Sequence, residues 1–285
     1  MNLAKKLFWS SRPISWINTA FPFAASYFLA TKEVDWILII GSFFFLIPYN
    51  LLMYGVNDVF DYESDLRNPR KGGIEGALLA PEYHKPTLLL SFGIALPFAI
   101  ALSFVNLIAT GMLWLTIFAV VAYSLKGLRF KEIPFLDSLT SAMHFVGPML
   151  VGLSMADVSL DSPVILLAIL TFFLWGIASH AFGAVQDVKS DREAGIRSIA
   201  TVIGARKTVA FAFLGYFLAG MLASYFPDRY AFIALGALPY LVVVARELNI
   251  SDEDCERANR GWKKFIWLNF FAGALISAIL IGPTS

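Results

Sequence analysis

The residues of this chain most suited to chemistry are acids set at helical spacing. In "NDVFDYESDLRNPRKGG", residues 57–73, Asp58, Asp61 and Asp65 stand at i, i+3 and i+7 on one helix face, with Asn57 one turn before Asp61. A second stretch, "DVKSDREAG", places Asp187 and Asp191 at i and i+4. Carboxylates gathered in this way repel one another and raise one another's pKa unless a cation shares them. A hard divalent ion can: Mg2+ takes oxygen ligands, keeps several waters and bridges one or two carboxylates to substrate phosphates. Basic residues accompany each cluster, Arg70 and Lys71 after the first, Lys189 and Arg192 within or just after the second. Arg offers phosphate a planar fork and Lys a point charge. Two such clusters facing each other would hold magnesium and grip a diphosphate between them.

The elements that carry these acids belong to a membrane. Of the 285 residues, 58% are hydrophobic and 15% charged, with a mean hydropathy of +0.68; a soluble domain carries about a quarter charged residues. Apolar stretches of about twenty residues, the length that crosses a hydrocarbon core, recur along the chain. The pattern predicts nine spans, at 13–30, 36–58, 86–104, 107–124, 136–155, 162–186, 207–225, 229–246 and 264–282. The first is too long for a signal h-region and eight others follow, so it reads as an uncleaved helix. With the N-terminus in the cytosol, every Lys and Arg except Lys32 and Arg229 falls on the inner side, as the positive-inside rule requires. Both acidic clusters then close their spans, the second and the sixth, at the cytosolic face of a multi-pass protein of the cell membrane. Similar polar loops after spans four and eight suggest a parallel repeat of four spans. The single cysteine, Cys255, excludes an internal disulfide.

Asn57-Asp58-x-x-Asp61-x-x-x-Asp65 with Asp187-x-x-x-Asp191 resembles the paired signature of the UbiA-type intramembrane prenyltransferases. Tyr123-Ser124 followed by Leu128-Arg129-Phe130-Lys131 resembles that family's third inner-loop motif, although Lys126-Gly127 stands where many relatives have two prolines. Within the family, "NDVFDYESDLRNPRKGG" and "LRFKEIPFLDS" look most like the lycopene elongases. The resemblance implies one all-α integral-membrane domain over 1–285, with about nine helices around a central cavity open to the cytosolic side and laterally to lipid. It implies Mg2+ on Asn57, Asp61, Asp65, Asp187 and Asp191, with Asp58 in the same catalytic group. Arg70, Lys71, Arg129, Lys131, Lys189 and Arg192 would bind the diphosphate. The implied partners are an allylic diphosphate, a membrane-dissolved hydrophobic acceptor such as a polyene, and the bilayer, with no nucleic acid.

Other residues are open to two readings. The 26 Phe could line an acceptor cavity and stabilise a carbocation, or simply fill membrane helices. Every Lys and Arg falls at a loop or helix end, which favours an uncharged acceptor over a carboxylated aromatic one; prenyl transfer to a quinone precursor or an isoprenoid lipid is the alternative reading. His180, two turns before Asp187, and His144 could accept protons or pack. Asp137 could touch metal or leaving group, or serve the helix N-terminus it occupies. Gly147-Pro148 predicts a kink in the fifth span. A cation transporter would place its acids near the midplane on broken helices, free of repelling Arg and Lys. A lipid-binding scaffold has no use for five grouped aspartates.

Overall fold

The structure, a computed structural model, describes residues 3–66 and 78–281. Helices make up its regular elements, and no strand occurs among the described residues. Contacts divide the chain into two compact units, Met1–Lys131 with Met143–Leu160, and Glu132–Ala142 with Asp161–Ser285.

The first unit holds α1 (Leu3–Ser10), α2 (Ile17–Thr31), α3 (Trp36–Leu46), α4 (Pro48–Phe60), α5 (Tyr62–Asp65), α6 (His84–Leu102), α7 (Leu107–Ser124) and residues 143–155 of α8 (Leu136–Met155). Its core is aromatic: Phe23, Phe44, Phe45 and Tyr49 are fully buried. Phe23 lies so close to Gly41 that a Cβ there would stand 2.1 Å from the ring, so α2 and α3 pack this tightly only with glycine at 41. Asp35 and Asn106 cap α3 and α7 through side-chain acceptors to Leu38 N–H and Ala109 N–H. Pro48 separates α3 from α4, and the nearby carbonyls are not abandoned. The Asn50 amide donates to Phe45 O at 2.8 Å and Leu46 O at 3.1 Å, and the Thr19 hydroxyl also donates to Phe45 O. Pro148 acts similarly in α8, which stays one continuous helix across Gly147-Pro148. The carbonyl deprived of its helical donor, that of His144, accepts the Tyr49 hydroxyl at 3.1 Å.

The second unit holds residues 136–142 of α8, α9 (Pro163–Val185), α10 (Val188–Glu193), α11 (Ile199–Ile203), α12 (Ala205–Ala223), α13 (Leu238–Ala245) and α14 (Asn259–Ile281). A 3-10 run, Asp228–Ala237, leads into α13. The α9–α12 pair meets through small residues, Ala178, Ala181 and Ala212, as packing within a membrane favours. Stacked rings, Trp262 on Phe265 at 4.7 Å and Tyr216 on Tyr240 at 5.1 Å, fill the rest of that core.

Seven helical stretches among the described residues are long and apolar enough to cross a membrane: Trp36–Phe60, Pro81–Leu102, Leu107–Ser124, Pro163–Val185, Ala205–Ala223, Asp228–Ala245 and Cys255–Ile281. This is a multi-pass membrane protein. The two other expected spans are helical but differ. At 15 residues, α2 reaches only about 23 Å at 1.5 Å per residue. The 20-residue α8 carries Asp137, Ser138, Ser141 and His144 along its first half.

Candidate active site

The first acidic motif sits where α4 gives way to α5. Asp61 occupies the junction with φ −101° and ψ 0°, yet the hydrogen-bond ladder runs on: Asp61 N–H reaches Asn57 O and Asp65 N–H reaches Asp61 O. The side chains therefore keep helical spacing across a slight break. Asp58, Asp61 and Asp65 are 1%, 5% and 6% exposed, a burial that anions tolerate only with cations or donors close by.

Those partners come from sequence-distant segments. Asp58 Oδ1 accepts the Arg12 guanidinium at 2.8 Å and Oδ2 accepts the Ser10 hydroxyl at 2.8 Å. Burial alone would lower the Arg12 pKa; Asp58, the Tyr54 hydroxyl, Asp65 and Asp61 reverse that and raise it. Lys131 forms an ion pair with Asp61 Oδ1, and Arg129 Nη2 stands 3.6 Å from the same oxygen. Arg129 also donates to Phe60 O at 3.2 Å, at the last residue of α4. The Asn57 amide donates to Asp61 Oδ2 at 2.7 Å and to the buried Ser124 hydroxyl at 2.9 Å. Tyr123 packs edge-on against the His144 ring, with centroids 5.0 Å apart. The end of α7 and the loop after it thus reach the first motif, through Ser124 and through Arg129 and Lys131. Arg70 and Lys71 lie outside the described residues.

The second motif repeats the same backbone device. Asp187 stands between α9 and α10 with φ −101° and ψ 0°, and Asp191 N–H reaches Asp187 O at 2.8 Å. Here both acids are partly exposed and Lys189 is exposed. Arg192 donates to Thr201 O and to Asp252 Oδ2 at 2.6 Å. Asp252 Oδ1 in turn accepts Ala205 N–H at the start of α12. Desolvation would raise the Asp252 carboxyl, but the Ala205 N–H and the Arg192 guanidinium together hold it below the ordinary carboxylate range. Asp137 is fully buried. Its Oδ2 accepts Ile199 N–H at 2.6 Å and its Oδ1 accepts Ser138 N–H at 2.7 Å. The Ser138 hydroxyl lies 3.0 Å from His180 Nδ1, linking α8 to α9.

Whether magnesium suits these residues is a question of donor chemistry. Among the described residues, no three His, Cys, Asp or Glu side chains gather closely enough to enclose an ion. Mg2+ asks for less: an octahedron completed by water and phosphate needs only one or two carboxylates. Asn57, Asp61 and Asp65, and separately Asp187 and Asp191, supply hard oxygen donors only, and the ion fits that set. Sequence reasoning had overlooked Ser10, Arg12, Ser124 and Ser138 as contributors. Two of them carry a signal: Arg12 is a cation directly before Pro13, and Ser124 belongs to the third inner-loop motif.

The matches to known proteins agree with this chemistry. Residues 19–278 match the UbiA prenyltransferase family model. A C(50) beta-cyclic carotenoids biosynthesis protein of Dietzia sp. is 53% identical over 282 residues, covering 98% of this chain and 65% of that longer protein. A lycopene elongase/hydratase of Corynebacterium glutamicum is 51% identical over 274 residues, 95% of each chain. Among solved structures, a UbiA homolog from Archaeoglobus fulgidus bound to DMAPP and Mg2+ superposes with a TM-score of 0.69 at 18% identity, over 95% of this chain and 99% of that one. A short helical acidic motif, repeated in its backbone and in its first copy buried and met by basic side chains, is thus set in a fold shared with proteins of one family: the chain belongs to the UbiA prenyltransferases.

Proposed function

We propose that this protein transfers a dimethylallyl group from its diphosphate to the ends of lycopene, giving C45 and C50 carotenoids. The two units act together as one domain, with the N-terminus and the acidic motifs on the cytosolic side. One observation carries the reading: buried Asp61, with Asn57 beside it, faces Lys131 and Arg129 from the loop after α7. That arrangement has carboxylates for a metal and cations for a diphosphate at one place. The identities of 51–53% to a lycopene elongase/hydratase and a C50 carotenoid protein support the acceptor.

Asn57, Asp61, Asp65, Asp187 and Asp191 would hold Mg2+, which when bound draws charge from the diphosphate oxygens. Lys131 and Arg129 bind the same leaving group, a role that Arg70 and Lys71 are proposed to share. The C–O bond breaks, and its electron pair leaves with diphosphate. The terminal double bond of lycopene attacks the allylic cation, moving positive charge to a tertiary carbon of the acceptor. That cation is discharged by loss of a proton or capture of water. Because the acceptor is a symmetric hydrocarbon, its second end can react in a later visit. The cations set on Asp61 argue against a cation path, which they would block by repulsion.

The test supplies purified protein with Mg2+, dimethylallyl diphosphate and lycopene. Products one and two C5 units heavier support the reading. Prenylation of a phenol, quinone precursor or glycerol ether, with lycopene returned unchanged, would overturn the acceptor and leave the family.

A further inference from the structure

The three aspartates of the first motif are not equivalent. Asp61 meets cations from a loop, the kind of partner that can change hands when a diphosphate arrives. Asp58 is held at both oxygens by a different segment, the turn between α1 and α2. Ser10 closes α1 and donates to Oδ2; Arg12, two residues on, donates to Oδ1. The guanidinium also lies over the Tyr54 ring, 4.1 Å from its centroid. Tyr54 and Asp58 are i and i+4 on α4, so Arg12 is gripped by one helix face, stacked at one turn and ion-paired at the next.

The backbone is shaped for this contact. Arg12 has φ 50° and ψ 72°, in the left-handed region that a residue with a Cβ occupies only when its surroundings compel it. A hydrogen bond on each side fixes the turn, Arg12 N–H to Trp9 O and Ser15 N–H to Arg12 O. A second tie reaches the start of α6, where Lys6 lies 3.4 Å from the centroid of the Tyr83 ring.

We propose that Ser10 and Arg12 form a clasp on Asp58, and that Asp58 is a positioning residue that fixes the end of α4 rather than a magnesium ligand. The proposal rests on the metal reading of Asp61 and Asp65 given above. It divides the motif by role. Asp58 anchors the helix end to the N-terminal segment, and the carboxylates one and two turns later are thereby held where a metal and a diphosphate meet them. A misplacement of about an ångström at such a site costs on the order of a hundredfold in rate.

Full-length protein in nanodiscs tests this with Asp58→Asn, Arg12→Ala, the double variant and Asp61→Asn. Mn2+ binding followed by electron paramagnetic resonance is the readout independent of turnover. For a clasp, Asp58→Asn and Arg12→Ala each lower kcat by the same factor, about ten- to a hundredfold, with donor KM little changed. The double variant is no worse than either single one. Mn2+ stoichiometry stays as in the parent protein for both, and Arg12→Lys, which keeps charge but not the fork, recovers part of kcat. If the alanine variant does not insert, Arg12→Lys against Ser10→Ala gives the same coupling test. Two results overturn the clasp: Mn2+ lost from Asp58→Asn but kept in Arg12→Ala, or losses in kcat that multiply in the double variant. Unaltered Mn2+ binding in Asp61→Asn would instead remove the metal reading, and the Arg12–Asp58 coupling would still decide the clasp.

Discussion

Asp61 and Asp187 share one backbone and live in different electrostatic surroundings. Both sit at φ −101° and ψ 0° between a span and a short helix, and both are followed one turn later by a second aspartate on the same ladder. Around Asp61 the neighbours are partly buried and basic: Lys131, Arg129 and, through Asp58, Arg12. Around Asp187 the acids are partly exposed, and Arg192 is tied to Thr201 O and Asp252. The repeated backbone fits a duplicated four-span unit, each copy presenting two carboxylates at a helix end. The difference in burial, with Asp61 and Asp65 enclosed and Asp187 and Asp191 partly exposed, suggests a division of labour in which the first copy grips the diphosphate and the second contributes chiefly metal-binding oxygen.

That division is most exposed to test at the aspartates themselves. Asp61→Ala removes a proposed metal donor and the carboxylate that Lys131 and Arg129 face; Asp187→Ala removes a proposed metal donor from the second motif. Both should lower turnover by about a thousandfold or more, as loss of preorganised transition-state charge does, with the protein still inserted. Excess EDTA should do the same. An Asp187→Ala protein that turns over at the parent rate would end the idea of two working copies.

The next effect separates the cations. Lys131→Ala should raise donor KM about tenfold, the scale of one charged hydrogen bond to phosphate, without raising acceptor KM. Lys189→Ala, at an exposed position, should change donor KM less. Reversal of that order, in steady-state assays varying each substrate, would move the grip to the second motif. Ser124→Ala comes lower again. It takes one hydrogen bond from Asn57, so a loss of about fivefold in kcat/KM is expected, and Ser124→Thr should restore it.

How much of this was legible in the sequence follows from the range of each interaction. Helical spacing places Asp58, Asp61 and Asp65 together without knowledge of the fold, because those contacts are local. The spans are legible for the same reason, since each is a run of apolar residues. Arg12 and Asp58 are 46 residues apart and Asn57 and Ser124 are 67 apart; no periodicity links such pairs, so the clasp and the serine emerge only when helices pack. Asp137 shows the ambiguity from another side. At the start of α8 it could have served its own helix or a ligand; one carboxylate oxygen does take the Ser138 N–H of its own first turn, and the other takes an N–H of α11, 62 residues on. Across Gly147-Pro148 the helix continues, and the carbonyl that Pro148 leaves without a donor is met by Tyr49, almost a hundred residues earlier in the chain.

The smallest effect is expected at Arg192, and it turns on pH. If Arg192 serves the fold of the second unit and not the diphosphate, Arg192→Ala should leave donor KM unchanged and reduce thermal stability slightly. Its side chain and that of Asp252 are 43% and 35% exposed, so the pair should contribute no more than about 1 kcal/mol, on the order of 2 °C in a protein this large. The Asp252 carboxyl is held below its ordinary value in the fold, so the folded state releases the proton more readily than the unfolded chain. Its contribution is therefore full above the unfolded value, about pH 4, and fades as the pH falls through the folded one. The gap in melting temperature between parent and Arg192→Ala should accordingly be constant near neutrality and close in strong acid. Asp252→Ala should cost more at neutral pH, because it also takes the acceptor from Ala205 N–H at the start of α12. A donor KM that rises in Arg192→Ala while the melting temperature holds would return Arg192 to the diphosphate and make the two motifs more alike than their surroundings suggest.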